Sequence, residues 1–139
     1  MNKYIKLNEK IQKEINNFPI IFAFNDKQLK EGMEKFKTNK KELLSIENCG
    51  GLIRRKDKNK YLNMIKTHDE EIKKAREDDE YIYEMFRYEL ANHEYIITFD
   101  ETDTLECLGY DSSKQLDKRT YNLFLKAKND YLKAMEDLE

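Results

Sequence analysis

The residues best suited to chemistry are His93 and Glu94, followed closely by Asp100 and Asp103. One imidazole with several carboxylates can hold a hard or borderline cation, or share a proton between acid and base. The spacing matches no zinc signature, and HExxH is absent. A plainer reading has His93 capping a helix or bonding a carboxylate. His68, followed by Asp69-Glu70-Glu71, reads as a core-edge histidine on a charged helix. Cys49 stands before Gly50-Gly51, but a nucleophilic cysteine needs a base or a positive charge nearby. Arg54 offers charge and no histidine is paired with it in sequence, so Cys49 reads as a small buried apolar residue. Cys107, inside the Leu105–Leu108 turn, reads as core. GxSxG, P-loop, GxGxxG and paired CxxC signatures are all absent. We therefore assign no catalytic residue, no metal ligand and no cofactor, and expect a non-enzymatic protein, the alternative being a small metal- or nucleotide-dependent enzyme or ligand-binding protein centred on His93, Glu94, Asp100 and Asp103.

Charge is more informative. Residues 1–66 carry sixteen Lys/Arg against eight Asp/Glu, whereas residues 67–113 carry four against fifteen. Between Arg87 and Lys114 there are seven acids and no basic residue. Two readings compete. Basic and acidic segments can pack side by side as solvated pairs, each contributing about 0–1 kcal/mol. Alternatively the acids gather into one face that attracts a basic partner and weakens with salt. On the second reading the partner-binding residues are Glu77, Asp78, Asp79, Glu80, Tyr81, Glu84, Tyr88, Glu94, Tyr95, Asp100, Glu101 and Asp103. Tyr81, Tyr83, Tyr88 and Tyr95 would be aromatic anchors there. A third set, Arg54, Arg55, Lys56, Lys58 and Lys60, lies at a hairpin end and helix start, where phosphate can also meet backbone N–H groups. The net charge of −2 and the absence of a helix-turn-helix, zinc-finger or RNP signature weigh against nucleic acid.

These residues need elements to position them. Ile11, Ile15 and Phe18 mark a first helix over Asn8–Asn17, ended by Pro19. Ile20–Phe24 reads as a buried strand. Asn25 caps a second helix bearing Leu29, Met33 and Phe36. Leu43–Ile46 and Leu52–Arg54 read as a hairpin around Asn48-Cys49-Gly50-Gly51. Asp57 caps a third helix that runs to about Arg76. Asp78-Asp79 starts a fourth with Tyr81, Ile82, Met85, Phe86 and Leu90 inward, ending at Asn92. Tyr95–Phe99 reads as a short strand. Asp100 and Thr102 cap a brief helix stopped by Gly109. Asp111-Ser112-Ser113 opens the last helix, whose apolar stripe runs from Leu116 through Phe124, Ala127 and Tyr131 to Leu138. The fold class is α+β: a small antiparallel sheet of about three strands packed against four to six helices, the C-terminal one long.

The chain has 139 residues, 39% charged and 39% hydrophobic. That is the size of one domain, and no linker or repeat divides residues 1–139. The apolar share is too high and too regular for disorder. No apolar leader-like run opens the sequence, and no stretch is long enough to span a membrane. Two distant cysteines fit a reducing compartment. A cytoplasmic location is expected.

Tyr88-Glu89-Leu90-Ala91-Asn92-His93-Glu94-Tyr95, then Thr102-Asp103-Thr104-Leu105 and Leu108-Gly109, together with Phe22-Ala23-Phe24, Glu31-Gly32 and Gly50-Gly51, form a distinctive set. From about Ile20 to Tyr110 the chain resembles small uncharacterised proteins carried by phages, plasmids and other mobile elements of low-GC bacteria. That resemblance brings a context and no catalytic residues. It implies an anti-defence protein of the anti-CRISPR kind, whose carboxylates take the place of phosphates on Lys/Arg sites. The expected partner is a protein with a basic surface, such as host nucleic-acid-binding machinery, rather than a membrane or nucleic acid itself.

Overall fold

A computed structural model describes residues 2–46 and 50–138. Among the described residues there are seven α-helices and one three-stranded antiparallel sheet, so the α+β class holds. Contacts group the chain into two compact units, Glu9–Glu71 and Met1–Asn8 with Ile72–Glu139. The division falls inside two helices, α1 (Lys3–Asn17) and α3 (Lys58–Ala75). No described helix is long and apolar enough to cross a membrane.

The Glu9–Glu71 unit holds the sheet. β3 (Gly51–Arg54) lies between β1 (Ile21–Phe22) and β2 (Leu43–Ser45), with Ile21 opposite Leu52 and Leu44 opposite Ile53. The strand expected over Ile20–Phe24 pairs only at Ile21 and Phe22; Phe24 is almost fully exposed. Gly50 precedes β3 in the left-handed region, at φ +69°, a conformation that glycine adopts without steric cost. The reading of Asn48 and Cys49 lies outside the described residues. α2 (Asp26–Lys35) starts as its sequence dictates: the Asn25 side chain accepts from the Gln28 N–H at 2.8 Å. It crosses β1 so closely that a Cβ on Gly32 would sit 2.6 Å from Ile21 Cγ2. Ile21 is buried and branched, so it cannot swing away. Gly32→Ala is therefore expected to destabilise by about 1–2 kcal/mol, the overpacking cost outweighing the better helix propensity of Ala. A lower urea midpoint at unchanged slope is the expected measurement.

Asp57 is buried and accepts from Arg54 Nε at 2.6 Å, inside a short 3₁₀ turn that precedes α3. Along α1 and α3, the buried His68 meets Glu14 at 2.8 Å, and Lys10 bonds both Glu14 and Glu71. Lys10, followed by His68, holds the Glu14 carboxyl below its ordinary range.

The other unit is helical. α1 begins at Lys3 rather than Asn8, because Tyr4 and Leu7 extend the apolar stripe and Asn2 Oδ1 accepts from the Ile5 N–H. α4 (Asp79–Asn92) is capped by Asp78, which accepts from the Glu80 N–H. α7 (Lys118–Glu136) presents Thr120, Phe124, Ala127 and Tyr131, spaced four, three and four apart, and all buried. Phe86 of α4 and Phe124 of α7 are wholly buried with ring centres 4.9 Å apart. The last helix opens later than expected. Ser112 caps a single 3₁₀ turn, Ser113–Gln115, and Asp117 then caps α7 by accepting from the Thr120 N–H at 2.7 Å. Leu138, at the end of the expected stripe, is 78% exposed.

Tyr95–Phe99 is not a strand. Residues Tyr95–Thr98 form a one-turn helix, α5, bracketed by Glu94 and Phe99 in the left-handed region, both at φ +54°. The β-branched composition is overridden because this unit holds no strand among its described residues for it to pair with. α6 (Thr102–Cys107) follows, with Asp100 accepting from the Thr102 N–H. Gly109 at φ +91° lets the Tyr110 N–H return to the Leu105 carbonyl, the C-terminal closure expected of it.

Candidate functional site

The helical unit carries seventeen acids against twelve Lys/Arg, a net of −5. Its acids divide into two groups with different surroundings. At the start of α4, Lys3 Nζ lies 2.6 Å from Asp78 and 3.1 Å from Glu80, while the Lys3 N–H donates to Glu84. Arg119 pairs with Asp79 and also donates to the carbonyls of Arg76 and Glu77. Lys3 holds the Asp78 carboxyl below its ordinary range. Three of the predicted contact residues, Asp78, Asp79 and Glu80, thus pair with basic side chains from outside the acidic segment, and Glu84 accepts from the Lys3 backbone. The segment count could not reveal this, since Lys3 and Arg119 are remote in sequence.

The second group surrounds α5. Glu94, Asp100 and Asp103 are exposed; Glu101 meets Lys128 at 3.1 Å. In their midst Ile97 is 71% exposed and Phe99 is 64% exposed. Phe99 stands edge-on to Tyr95, which is buried. Its left-handed backbone is unusual for an aromatic residue and turns the chain sharply between α5 and α6. The corner is held from beneath. Lys128 sits near the Tyr95 and Phe124 rings, and Arg76 donates to the Leu108 carbonyl and Tyr110 hydroxyl.

Burial corrects two of the four expected aromatic anchors. Tyr81 and Tyr95 are core residues, and a ring enclosed by its own chain cannot enter a partner's pocket. Tyr83 bonds Asp130 and receives a bond from Arg87; Tyr88 is partly exposed beside Tyr4. The exposed apolar pair Ile97 and Phe99 was missed. Its sequence signal, two large apolar residues alternating with Ile96 and Thr98, is the same pattern that a strand shows.

The His93-Glu94-Asp100-Asp103 set is replaced by another. His93 Nε2 lies 3.3 Å from Glu89 Oε2, one turn back on α4, and the Cys107 thiol donates to the same oxygen at 2.7 Å. Glu89, His93 and Cys107 bring three donor atoms within 4.8 Å of one another. Cys107 is exposed as a residue rather than core, yet its Sγ faces the buried Glu89 carboxylate. Burial, reinforced by Glu89, pushes its thiol up to about 12.

The basic set in the other unit is partly engaged. Arg54 bonds Asp57 and the Phe36 carbonyl, and Arg55 bonds the Lys41 carbonyl; Lys56, Lys58 and Lys60 are exposed. The groove beside them is lined by Glu14 and Asp57 as well as Arg54 and Lys60, a mixture of signs poorly suited to phosphate.

Neither the curated proteins nor the solved structures contain a match to this chain. Residues 3–131 match the model of a family of unknown function, DUF7659, and the chain belongs to that family.

Proposed function

We propose that this is a non-enzymatic interaction protein that docks through the α5 corner onto a partner surface with an apolar socket ringed by basic residues. One observation carries the reading: Ile97 and Phe99 are exposed on a corner bracketed by two left-handed residues, within a stretch of seven acids and no basic residue. Exposed large apolar side chains on a constrained turn are the usual anchors of an interface, and a rim of carboxylates steers a basic partner toward them. The acids at the start of α4 take a smaller part, because Lys3 and Arg119 offset them locally. A nucleic-acid-binding complex, whose surface is built to meet phosphates, has the required chemistry. The host-defence setting is a further step of this proposal and rests on the resemblance alone.

The test is affinity capture from the natural host, comparing the wild type with two variants. Ile97→Asp/Phe99→Asp is expected to reduce partner recovery by about 100-fold, as two hot-spot residues would. Asp79→Asn, which removes an α4 acid without adding charge, is expected to leave recovery within about threefold. Recovery by the wild type should also fall as salt rises. Equal recovery by the Ile97/Phe99 variant sinks the proposal.

A further inference from the structure

We propose that Glu89, His93 and Cys107 form a binding site for a thiophilic divalent cation of the zinc(II) class, linking the end of α4 to α6. The spacing is chelating: Glu89 and His93 are four apart on one helical face, and Cys107 approaches from a second helix. With metal–ligand bonds of about 2.0–2.3 Å in a tetrahedral arrangement, N and O donors stand roughly 3.3 Å apart and S and O donors roughly 3.5 Å. His93 Nε2 and Glu89 Oε2 are already 3.3 Å apart. Cys107 Sγ, at 2.7 Å, must move outward by less than about 1 Å, and the residue has an exposed side to move into.

Two further observations favour a cation. His93 Nε2 is buried and makes no hydrogen bond among the described residues, a costly state for a polar atom that a metal ligand bond would relieve. Glu89 is only 6% exposed, and among the described residues no lysine or arginine forms an ion pair with it. A buried carboxylate without a cation is expensive. Arg76 and Asp103, of opposite sign, both act on Cys107, and Arg76 is engaged with Leu108 and Tyr110. The contrast is Glu14, His68 and Glu71, the other cluster of similar composition. There the Lys10 ammonium already bonds both carboxylates, so the place of a cation is filled.

The donor set selects the metal. Sulfur and imidazole with one carboxylate suit zinc and its neighbours, not magnesium or calcium, which prefer oxygen alone. Three protein ligands leave one position for water. On binding, the Cys107 S–H bond is replaced by an S–metal bond and the proton passes to solvent. The site stands whether or not the Ile97–Phe99 corner meets a partner.

The probes are zinc(II) and cobalt(II) alone, added to reduced, chelator-treated full-length protein carrying Cys49→Ser. One equivalent should bind, cobalt should give a thiolate-to-metal charge-transfer band, and zinc should raise the melting temperature. Cys107→Ser should abolish the band. His93→Ala and Glu89→Gln should each weaken zinc binding by about 100-fold or more, at unchanged circular dichroism. His68→Ala should leave binding within twofold. Failure to bind one equivalent, a band that survives Cys107→Ser, or binding lost in His68→Ala but kept in His93→Ala would overturn the site.

Discussion

Phe124→Ala is expected to lower the unfolding free energy by about 3–5 kcal/mol, enough to remove much of the roughly 5–15 kcal/mol that holds a domain together. The size follows from where the ring sits. Phe124 is wholly buried on α7, tilted against Phe86 of α4 at 4.9 Å, in a cluster that includes Met85, Leu90 and Leu105. Truncation removes the burial of an aromatic side chain and leaves a void whose walls belong to two long helices, which cannot close on it freely. Lys128 also stands 5.0 Å from the centre of the Phe124 ring while its ammonium pairs with Glu101, so the α5 corner loses support with it. Urea unfolding followed by circular dichroism measures the loss. Phe124→Leu should cost less than half as much, because most of the volume is kept. Leu138→Ala, at the exposed end of the same sequence stripe, should change stability by less than about 0.5 kcal/mol. A small effect at Phe124 would mean that the packing of α4 on α7 does not dominate this unit.

The contrast between Phe124 and Leu138 shows what a sequence can and cannot disclose. Features settled within one turn of chain were legible: Asn25 and Asp78 as caps, Gly109 as a stop, and the inward face of α4. Each depends on a side chain meeting backbone a few residues away, or on helical spacing, and both are local. Misreadings arose where a distant partner decides. Tyr95–Phe99 has strand composition, but a strand needs an edge, and among the described residues its unit has none. Asp111-Ser112-Ser113 has true capping chemistry, yet it caps only a 3₁₀ turn before Asp117 repeats the signal for α7. For the acids at Asp78–Glu80 the choice between pairing and an open face was not legible, because Lys3 and Arg119 reach them only through the fold. The donor cluster was half visible. Glu89 and His93 are four apart on a recognised helix, but Cys107 joins them only through the packing of α6 against α4.

In the metal-free protein carrying Cys49→Ser, Cys107 is expected to alkylate about 30-fold more slowly at pH 8 than the same thiol in the urea-unfolded chain. Burial, followed by the bond to Glu89 and its charge, raises the thiol from an ordinary 9.0 to about 12. At pH 8 that reduces the reactive thiolate by about 1000-fold. The more basic thiolate is intrinsically more nucleophilic, which returns roughly 30-fold of that loss and leaves the stated difference. Glu89→Gln removes the neighbouring charge while keeping the shape, so its rate should rise toward that of the unfolded chain. The same shift links to stability. A group whose proton is held more tightly in the folded chain favours folding only while it is protonated. Tyr4 behaves alike: burial raises its hydroxyl from 10.0 to about 12, against an opposing hydrogen bond with Asn8. Stability is thus expected to be flat up to about pH 9 and to fall progressively between about pH 9 and pH 12, through Cys107 at first and through Cys107 and Tyr4 together above about pH 10. Urea midpoints at pH 8, 10 and 11 test the slope, and Cys107→Ser should flatten its lower part and reduce, without abolishing, the part above pH 10. A midpoint that stays level to pH 11 would show that the thiol and the Tyr4 hydroxyl ionise in the folded chain as easily as in the unfolded one.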